Sequence, residues 1–326
     1  MHTQPIQIKS LQLVNPVILA PMAGITNLPY RRVMKSFGAS LVFSEMISAN
    51  GLIRDGKKTR LLLTSHKDEF PLGVQLFGED PMVLSKAAES IKDETTLLDL
   101  NMGCPVKKVV RNGAGSALLQ EPLRVAQIVA AVRKVYPGPL TIKIRSGWDE
   151  QSLNFLEIGR IAEAEGVDAI TLHPRPRSQG FSGSARWEHI TALKSELNIP
   201  VFGSGDIFNP EDGIAMLRKT GCDAIMIGRG GYGNPWLIRQ IIEQLAGKPV
   251  TIPTPLEKYQ TALQHLQLHH DQFGEKKAIL EMRKHLCWYT RSMEGAALFR
   301  ASLQKTEQLD HIRELVRIFF SQAEAA

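Results

Sequence analysis

The sequence predicts a (β/α)8 TIM barrel followed by a small C-terminal all-α helical-bundle domain, and three observations carry that expectation. Eight short apolar, β-branched runs recur between Asn15 and Gly230, most of them separated by stretches of helical periodicity. Nearly every run ends on its carboxyl side in a chemically capable residue; a closed barrel gathers such endings around one pocket, whereas an open sheet scatters them along a crevice. After about Leu245 the strand signal stops and only helical patterning remains.

The elements follow in order. Strand one is NPVILAPM (Asn15 to Met22), strand two is LVFSEM (Leu41 to Met46) with Glu45 at its end, and strand three is PLGVQLFG (Pro71 to Gly78) with Gln75. Strand four, TLLDLNMG (Thr96 to Gly103), carries Asn101 and is followed at once by Cys104. Strand five, LTIKIRSG (Leu140 to Gly147), carries Lys143 and Arg145, and strand six, AITLHP (Ala169 to Pro174), ends at His173. Strand seven, PVFGSG (Pro200 to Gly205), contains Ser204 and runs into Asp206; strand eight, AIMIGRG (Ala224 to Gly230), ends at Arg229. Unalternated apolar runs of this length suit parallel strands buried on both faces. PMVLSKAAESI and PLRVAQIVAAVRKV supply helical periodicity between them.

The expected organisation is a catalytic barrel over 1–245, a linker over 246–255 and a helical domain over 256–326. The linker segment GKPVTIPTP holds three prolines. In EKKAILEMRKHLCWYTRSM, at about 100° per residue, Ala278, Ile279, Met282, Leu286, Tyr289 and Met293 share one side. Lys276, Lys277, Arg283, Lys284 and Arg291 share the other. From 246 to 326, 11 Lys and Arg stand against 9 Asp and Glu, so this region's signal is a basic helix face rather than net charge.

Of the 326 residues, 43% are apolar and 22% charged, with no run long enough to span a membrane and no secretory leader pattern, which predicts a cytoplasmic protein. Three cysteines without a CxxC pair argue against zinc or a redox disulfide. A formal charge of +6 tolerates a polyanionic partner without proving one.

Two glycine-rich strand ends, GSGDI (Gly203 to Ile207) and GRGGYGN (Gly228 to Asn234), fall at strands seven and eight, the usual phosphate position of such barrels. Either could also be a plain tight turn. Lys143 sits between apolar neighbours and so needs an anionic partner when buried. A reduced flavin supplies one through its electron-rich edge; a salt bridge to Glu45 or Asp206 is the alternative. His173 alone reads as a hydrogen-bonded core residue, but with Lys143 and Arg229 it reads as part of a pocket. No Asp/Glu/His set has metal-ligand spacing, so a phosphate-bearing organic cofactor and no metal is expected.

Cys104 lies on a loop without a local base to activate it. An ordinary thiol titrates at about 8.5, so proton donation is favoured over covalent catalysis. A small residue packed before Pro105 is the competing role. Cys222 and Cys287 occupy apolar helical surroundings and read as structural. Lys107, Lys108 and Arg111, followed by Gly113 and Gly115, form a cationic, hinged loop that suits either a polyanion or plain solvation. Trp148, Phe181 and Trp187 could stack a flipped base or simply pack.

These residues resemble the tRNA-dihydrouridine synthases, in particular the bacterial B-type subgroup. The shared motifs are APMAGITNLPYRR (Ala20 to Arg32), SEM (Ser44 to Met46), QLFG (Gln75 to Gly78), NMGCPVKKVVRNGAGSALL (Asn101 to Leu119), KIRSGW (Lys143 to Trp148), GSGDI, IGRG and RKHLCWY (Arg283 to Tyr289). The resemblance runs through almost the whole chain. It implies an FMN flavoprotein oxidoreductase, reduced by NADPH or NADH, that converts a D-loop uridine of tRNA to 5,6-dihydrouridine. Hydride would pass from flavin N5 to uracil C6, with Cys104 protonating C5.

By position, Pro21, Met22, Ala23, Gln75, Lys143, His173, Ser204, Gly205, Asp206, Gly228 and Arg229 would hold FMN. Asn101, Lys107, Lys108, Arg111 and Arg145 are expected to meet the RNA, as are Arg175, Arg177 and Gln179. The basic face of Lys276, Lys277, Arg283, Lys284 and Arg291 would bind the rest of the tRNA, with a monomer as the default state. Two departures stand out. Ser204 replaces the family's usual Asn. Pro174 and Pro176 stiffen the loop HPRPRSQGFSG, leaving Arg175, Arg177 or Gln179 to hydrogen-bond substrate. The rivals are a flavin barrel oxidoreductase acting on a small pyrimidine such as dihydroorotate, and an RNA-binding protein that keeps flavin only structurally.

Overall fold

The structure, a computed structural model, describes residues 5–325. A short antiparallel hairpin, β1 (Ile6–Ile8) and β2 (Leu11–Leu13), precedes the barrel. The barrel strands are β3 (Val17–Leu19), β4 (Val42–Ser48), β5 (Leu72–Phe77), β6 (Leu97–Met102), β7 (Leu140–Arg145), β8 (Ala169–His173), β9 (Val201–Ser204) and β10 (Ala224–Ile227). They pair in parallel in the order β3-β10-β9-β8-β7-β6-β5-β4. A bridge between Ile18 and Leu41, with Leu19 N–H donating to Leu41 O at 2.9 Å, closes the cylinder. The expected barrel is therefore what the chain forms.

Strand alternation sorts the side chains. Along β6, Leu98, Leu100 and Met102 face the surrounding helices, while Leu97, Asp99 and Asn101 point inward. The lowest inward layer is apolar and includes Phe43, Leu97, Ala169, Phe202 and Ala224. Gly73 makes room for the Phe43 ring, since a Cβ there would meet it at 2.4 Å. Ile8 and Leu13 join this layer, so the hairpin stoppers the amino-terminal end of the barrel.

Caps fix where the outer helices begin. The Asp80 carboxylate accepts from Met82 and Val83 N–H ahead of the helix Pro81–Ile91, and Asn209 forms a capping box with Asp212 ahead of Pro210–Thr220. The first helix, Leu28–Ser36, is anchored by Arg31, whose guanidinium is buried against Glu69 and also donates to Thr26 O and Thr64 O, each at 2.8 Å.

Between the helix Trp236–Leu245 and Pro255 the chain has neither helix nor strand. Four helices follow: Pro255–Phe273, Glu275–Tyr289, Ala296–Lys305 and Leu309–Ala325. Their apolar core includes Ala278, Met282, Leu286 and Tyr289, the stripe legible in the sequence, and takes in Trp236 from the barrel's last helix. Trp236 makes edge contacts with Phe37 at 5.5 Å and Tyr289 at 6.1 Å. At Gly233 (φ 64) a Cβ would meet the Trp288 backbone at 2.3 Å, so the loop after β10 presses directly onto the helix Glu275–Tyr289. Among the described residues no helix is long and apolar enough to cross a membrane.

Candidate active site at the barrel mouth

The carboxyl ends of the strands open on a cavity of about 380 Å³, within the size range of cofactor sites. Pro21, Met22 and Ala23 border it after β3, Lys143 and His173 reach it from β7 and β8, and Ser204, Gly205 and Asp206 border it after β9. Gly228 and Arg229 border it after β10. Asn101, Cys104 and Arg145 line the same space. A Cβ at Gly228 would meet nothing nearer than Ala20 Cβ at 4.0 Å, so this backbone faces open space. Two glycine-bearing turns, a guanidinium and a buried ammonium around one cavity form a donor set that fits a phosphate-bearing, electron-rich group.

Burial first and the Arg145 charge second push the Lys143 ammonium down to about 8, against the upward pull of the Asp99 carboxylate beneath. The sequence offered a salt bridge to Glu45 or Asp206 as the alternative to a flavin, and the structure pairs both carboxylates elsewhere. Glu45 accepts from Gly24 N–H, and Asp206 is paired with Arg175 at 2.6 Å. His173 is held neutral by burial and by the surrounding cations Lys143, Arg145, Arg175 and Arg229. Its Nε2 faces Arg175 NH1 at 3.1 Å; a guanidinium only donates, so this nitrogen accepts and the ring proton sits on Nδ1. Ser204 Oγ donates to Met226 O at 3.3 Å.

Cys104 is half-buried on a loop folded back on itself. Its carbonyl accepts from Ser116 N–H at 3.1 Å and Ser116 Oγ at 3.0 Å, and its N–H donates to Asn101 Oδ1 at 2.9 Å. Gly115 (φ 62) permits that fold, since a Cβ there would meet Cys104 O at 2.7 Å. Burial pushes the thiol pKa up, while the Arg145 and Lys143 charges pull it down less strongly. The group is a neutral thiol at pH 7.

Gln75 does not border the cavity. It lies fully buried beneath the floor, its amide donating to Asp99 Oδ2 at 2.6 Å and accepting from Asn101 Nδ2 at 2.8 Å. Arg145 and Arg175 are likewise not free arms for RNA. Arg145 donates to Gly103 O, Pro176 O and Gly180 O, stapling two loops together. Arg175, 1% exposed, donates to Ser182 O, Gly183 O and Asp206. The stiff proline loop is thus closed by its own arginine. Gln179 donates to Ser182 O at 2.7 Å, and Arg177 lies 4.4 Å from the Trp148 ring centre.

The basic residues outside the cavity divide into two groups. Lys107, Lys108 and Arg111 are exposed on and just after the short helix Lys107–Val110, as are Lys276, Lys277 and Arg291 on the helical region. Arg283 instead donates to Thr306 O at 2.7 Å, and Lys284 to Gly24 O on the rim loop. Met46, Ile207, Phe208, Met226 and Tyr232 also line the cavity, and sequence reasoning missed them. Phe208 and Tyr232 sit beside or inside motifs read only as glycine turns; the Arg229 guanidinium lies 4.4 Å from Phe181 and 5.7 Å from Phe208. Tyr232 stacks on Trp288 at 4.3 Å, tying the mouth to the helical region. Among the described residues no group of three or more His, Cys, Asp or Glu could hold a metal ion.

The family model for dihydrouridine synthase (Dus) matches residues 18–324. The tRNA-dihydrouridine synthase B of Pasteurella multocida is 44% identical over 297 residues, covering 90% of this chain and 89% of that protein. The tRNA-dihydrouridine synthase B of Pseudomonas aeruginosa is 38% identical over 319 residues, covering 97% and 96%. Among solved structures, histamine dehydrogenase from Rhizobium sp. 4-9 shares the fold at TM-score 0.55 and 14% identity, over 80% of this chain and 50% of that one. A 2-naphthoyl-CoA reductase complex does so at TM-score 0.57 and 13% identity, over 76% and 53%.

Proposed function

The chain belongs to the dihydrouridine synthase family, and from that premise we propose that it reduces a D-loop uridine of tRNA to 5,6-dihydrouridine with FMN as cofactor and NADPH or NADH as reductant. The observation that carries this reading is the shared cavity: Lys143 from β7 and Cys104 from the loop after β6 line one space, with a glycine-built, arginine-bearing cradle at the ends of β9 and β10. When bound, FMN supplies from N5 the hydride for uracil C6 that no side chain can provide.

The side chains do the rest. Gly205, Gly228 and Arg229 would hold the phosphate, Asp206 would steady the Arg229 guanidinium behind it, and Pro21, Met22, Ala23, Ser204 and His173 would hold the remainder of the cofactor. Lys143 offers a cation to its electron-rich edge; His173, being neutral, adds none. Cys104, kept protonated, donates to C5. Asn101 faces the uracil, and the exposed cations Lys107, Lys108, Arg111, Lys276, Lys277 and Arg291 meet phosphates, offsetting the roughly few kcal/mol needed to unstack the uridine. The reading extends to a cytoplasmic monomer in which the barrel over 1–245 would hold the cofactor and the helical region over 256–326 would orient the tRNA.

Incubation of the protein with FMN, NADPH and unmodified tRNA is expected to yield dihydrouridine, read by mass spectrometry of the digested RNA. Reduction of a free pyrimidine without RNA would favour the small-molecule rival. Retained RNA binding with no reduction of either substrate would favour the binding protein.

A further inference from the structure

We propose that Asp99 is a positioning residue for the reaction, fixing the direction of a buried hydrogen-bond chain that ends on the backbone of Cys104. Asp99 lies on the inward face of β6 below Asn101 and does not border the cavity. Its Oδ1 accepts from the Thr141 hydroxyl at 2.6 Å and its Oδ2 from Gln75 Nε2 at 2.6 Å. A carboxylate only accepts, so the NH2 of Gln75 must face it. That leaves Gln75 Oε1 to accept from Asn101 Nδ2 at 2.8 Å. Asn101 Oδ1 is in turn directed at the N–H groups of Gly103 and Cys104, at 3.2 and 2.9 Å.

The polarity passes undivided from one end to the other. Reversing either amide would bring NH2 groups against N–H donors where water reaches only the cavity edge of Asn101, because Gln75, Asp99 and Thr141 are 0–1% exposed and Asn101 8%. Ser44 Oγ, accepting from Gln75 N–H at 3.1 Å, pins the middle of the chain. Burial lifts the Asp99 carboxyl to about 7 even against the Gln75 and Thr141 hydrogen bonds and the Lys143 charge, each of which favours its ionised form; with or without a proton on the oxygen that meets Thr141, Oδ2 accepts from Gln75. One carboxylate thus serves both the cation and the loop that bears the thiol.

The inference rests on the reading of Cys104 as the acid only for its effect on turnover. The test follows hydrogen–deuterium exchange over residues 101–106 in the flavin-free protein, and then kcat and KM for tRNA with FMN added. In Asp99→Leu, Gln75 loses its acceptor. Exchange at Gly103 and Cys104 should quicken by about tenfold or more, and kcat should fall by about tenfold or more with KM for tRNA within about twofold. Asp99→Asn retains an oxygen for Gln75 and turns its amide to Thr141 Oγ1, so exchange should stay within about threefold of the parent.

Gln75→Met cuts the same chain with Asp99 intact and should reproduce the faster exchange; it decides the matter if Asp99→Leu does not fold. Unchanged exchange in Gln75→Met, or equal loss in Asp99→Asn and Asp99→Leu, would overturn the proposal, the second outcome leaving only a charge effect on Lys143. If exchange responds as expected but even the parent makes no dihydrouridine, the proposed function fails while the hold of Asp99 on the Cys104 backbone stands.

Discussion

The Arg175 guanidinium and the Asp206 carboxylate, 2.6 Å apart, bind the loop after β8 to the turn after β9. Asp206 also accepts from Ala185 N–H at 2.7 Å and lies 3.5 Å from Arg229, so one carboxylate organises both the loop and the cationic cradle. Replacing Arg175 by Met would leave the Gly183 carbonyl without its donor, the Ser182 carbonyl with only Gln179, and Asp206 with only Ala185 N–H and Arg229. Stability should fall by roughly 1–3 kcal/mol, as for buried acceptors that lose a donor, which urea titration measures. FMN affinity should weaken in parallel, whereas a pure RNA contact would change only tRNA binding.

Cys104→Ala removes the neutral thiol and leaves the backbone bonds to Asn101 and Ser116 in place. Turnover is expected to drop by about 100 to 10,000-fold with flavin retained, as for loss of a general acid. Dihydrouridine formation and the bound-flavin absorbance check the two halves separately. Full activity would remove Cys104 from the mechanism.

Lys143→Met takes away the ammonium that burial has already weakened to about 8. Reduced FMN, which is the more negative form, should lose about tenfold more affinity than oxidised FMN. Titration of the flavin-free protein with each form, anaerobically for the first, reads the difference. Equal losses would mean that Lys143 only fills space.

What the sequence made legible follows from chemistry that local order can express. The eight barrel strands announce themselves as unbroken apolar runs, and Lys143 as a cation inside one. Asp99 in TLLDLNMG carries the same signal with opposite sign; its tie to Thr141 and nearness to Lys143 depend on the alignment of β6 with β7, which only the fold sets. The hairpin β1–β2 has strands of three residues, too short for a period to show, and its turn uses Lys9 at φ 52 rather than a glycine. Arg145 and Arg175 show their charge in the sequence but not the carbonyls that engage it, which for Arg145 lie 31 to 42 positions away.

The helical region meets the barrel through three buried histidines, His265, His269 and His285, with the His265 and His285 rings 4.7 Å apart. Tyr30 packs against both from the first barrel helix, while Tyr289, Lys284, Glu281 and Asn27 surround the cluster. Burial lowers His265 to about 3, and His285 also titrates well below its ordinary value. The unfolded chain takes up these protons near pH 6.5 and the folded chain only lower, so their contribution is complete above about 6.5. It is lost as pH falls toward about 3, at up to about 1.4 kcal/mol per pH unit for each ring. Urea midpoints at pH 7 and pH 5 should differ less in His285→Phe than in the parent; an equal difference would refute the assignment.

The hairpin that seals the lower end of the barrel has a kinetic corollary. With the amino-terminal end filled by that hairpin, the nicotinamide and the uracil of the proposed reaction would both come in over the carboxyl ends of the strands, and two rings bound for the same spot would take turns there. Double-reciprocal plots against one partner at several fixed levels of the other should therefore run parallel, and excess nucleotide should compete with RNA.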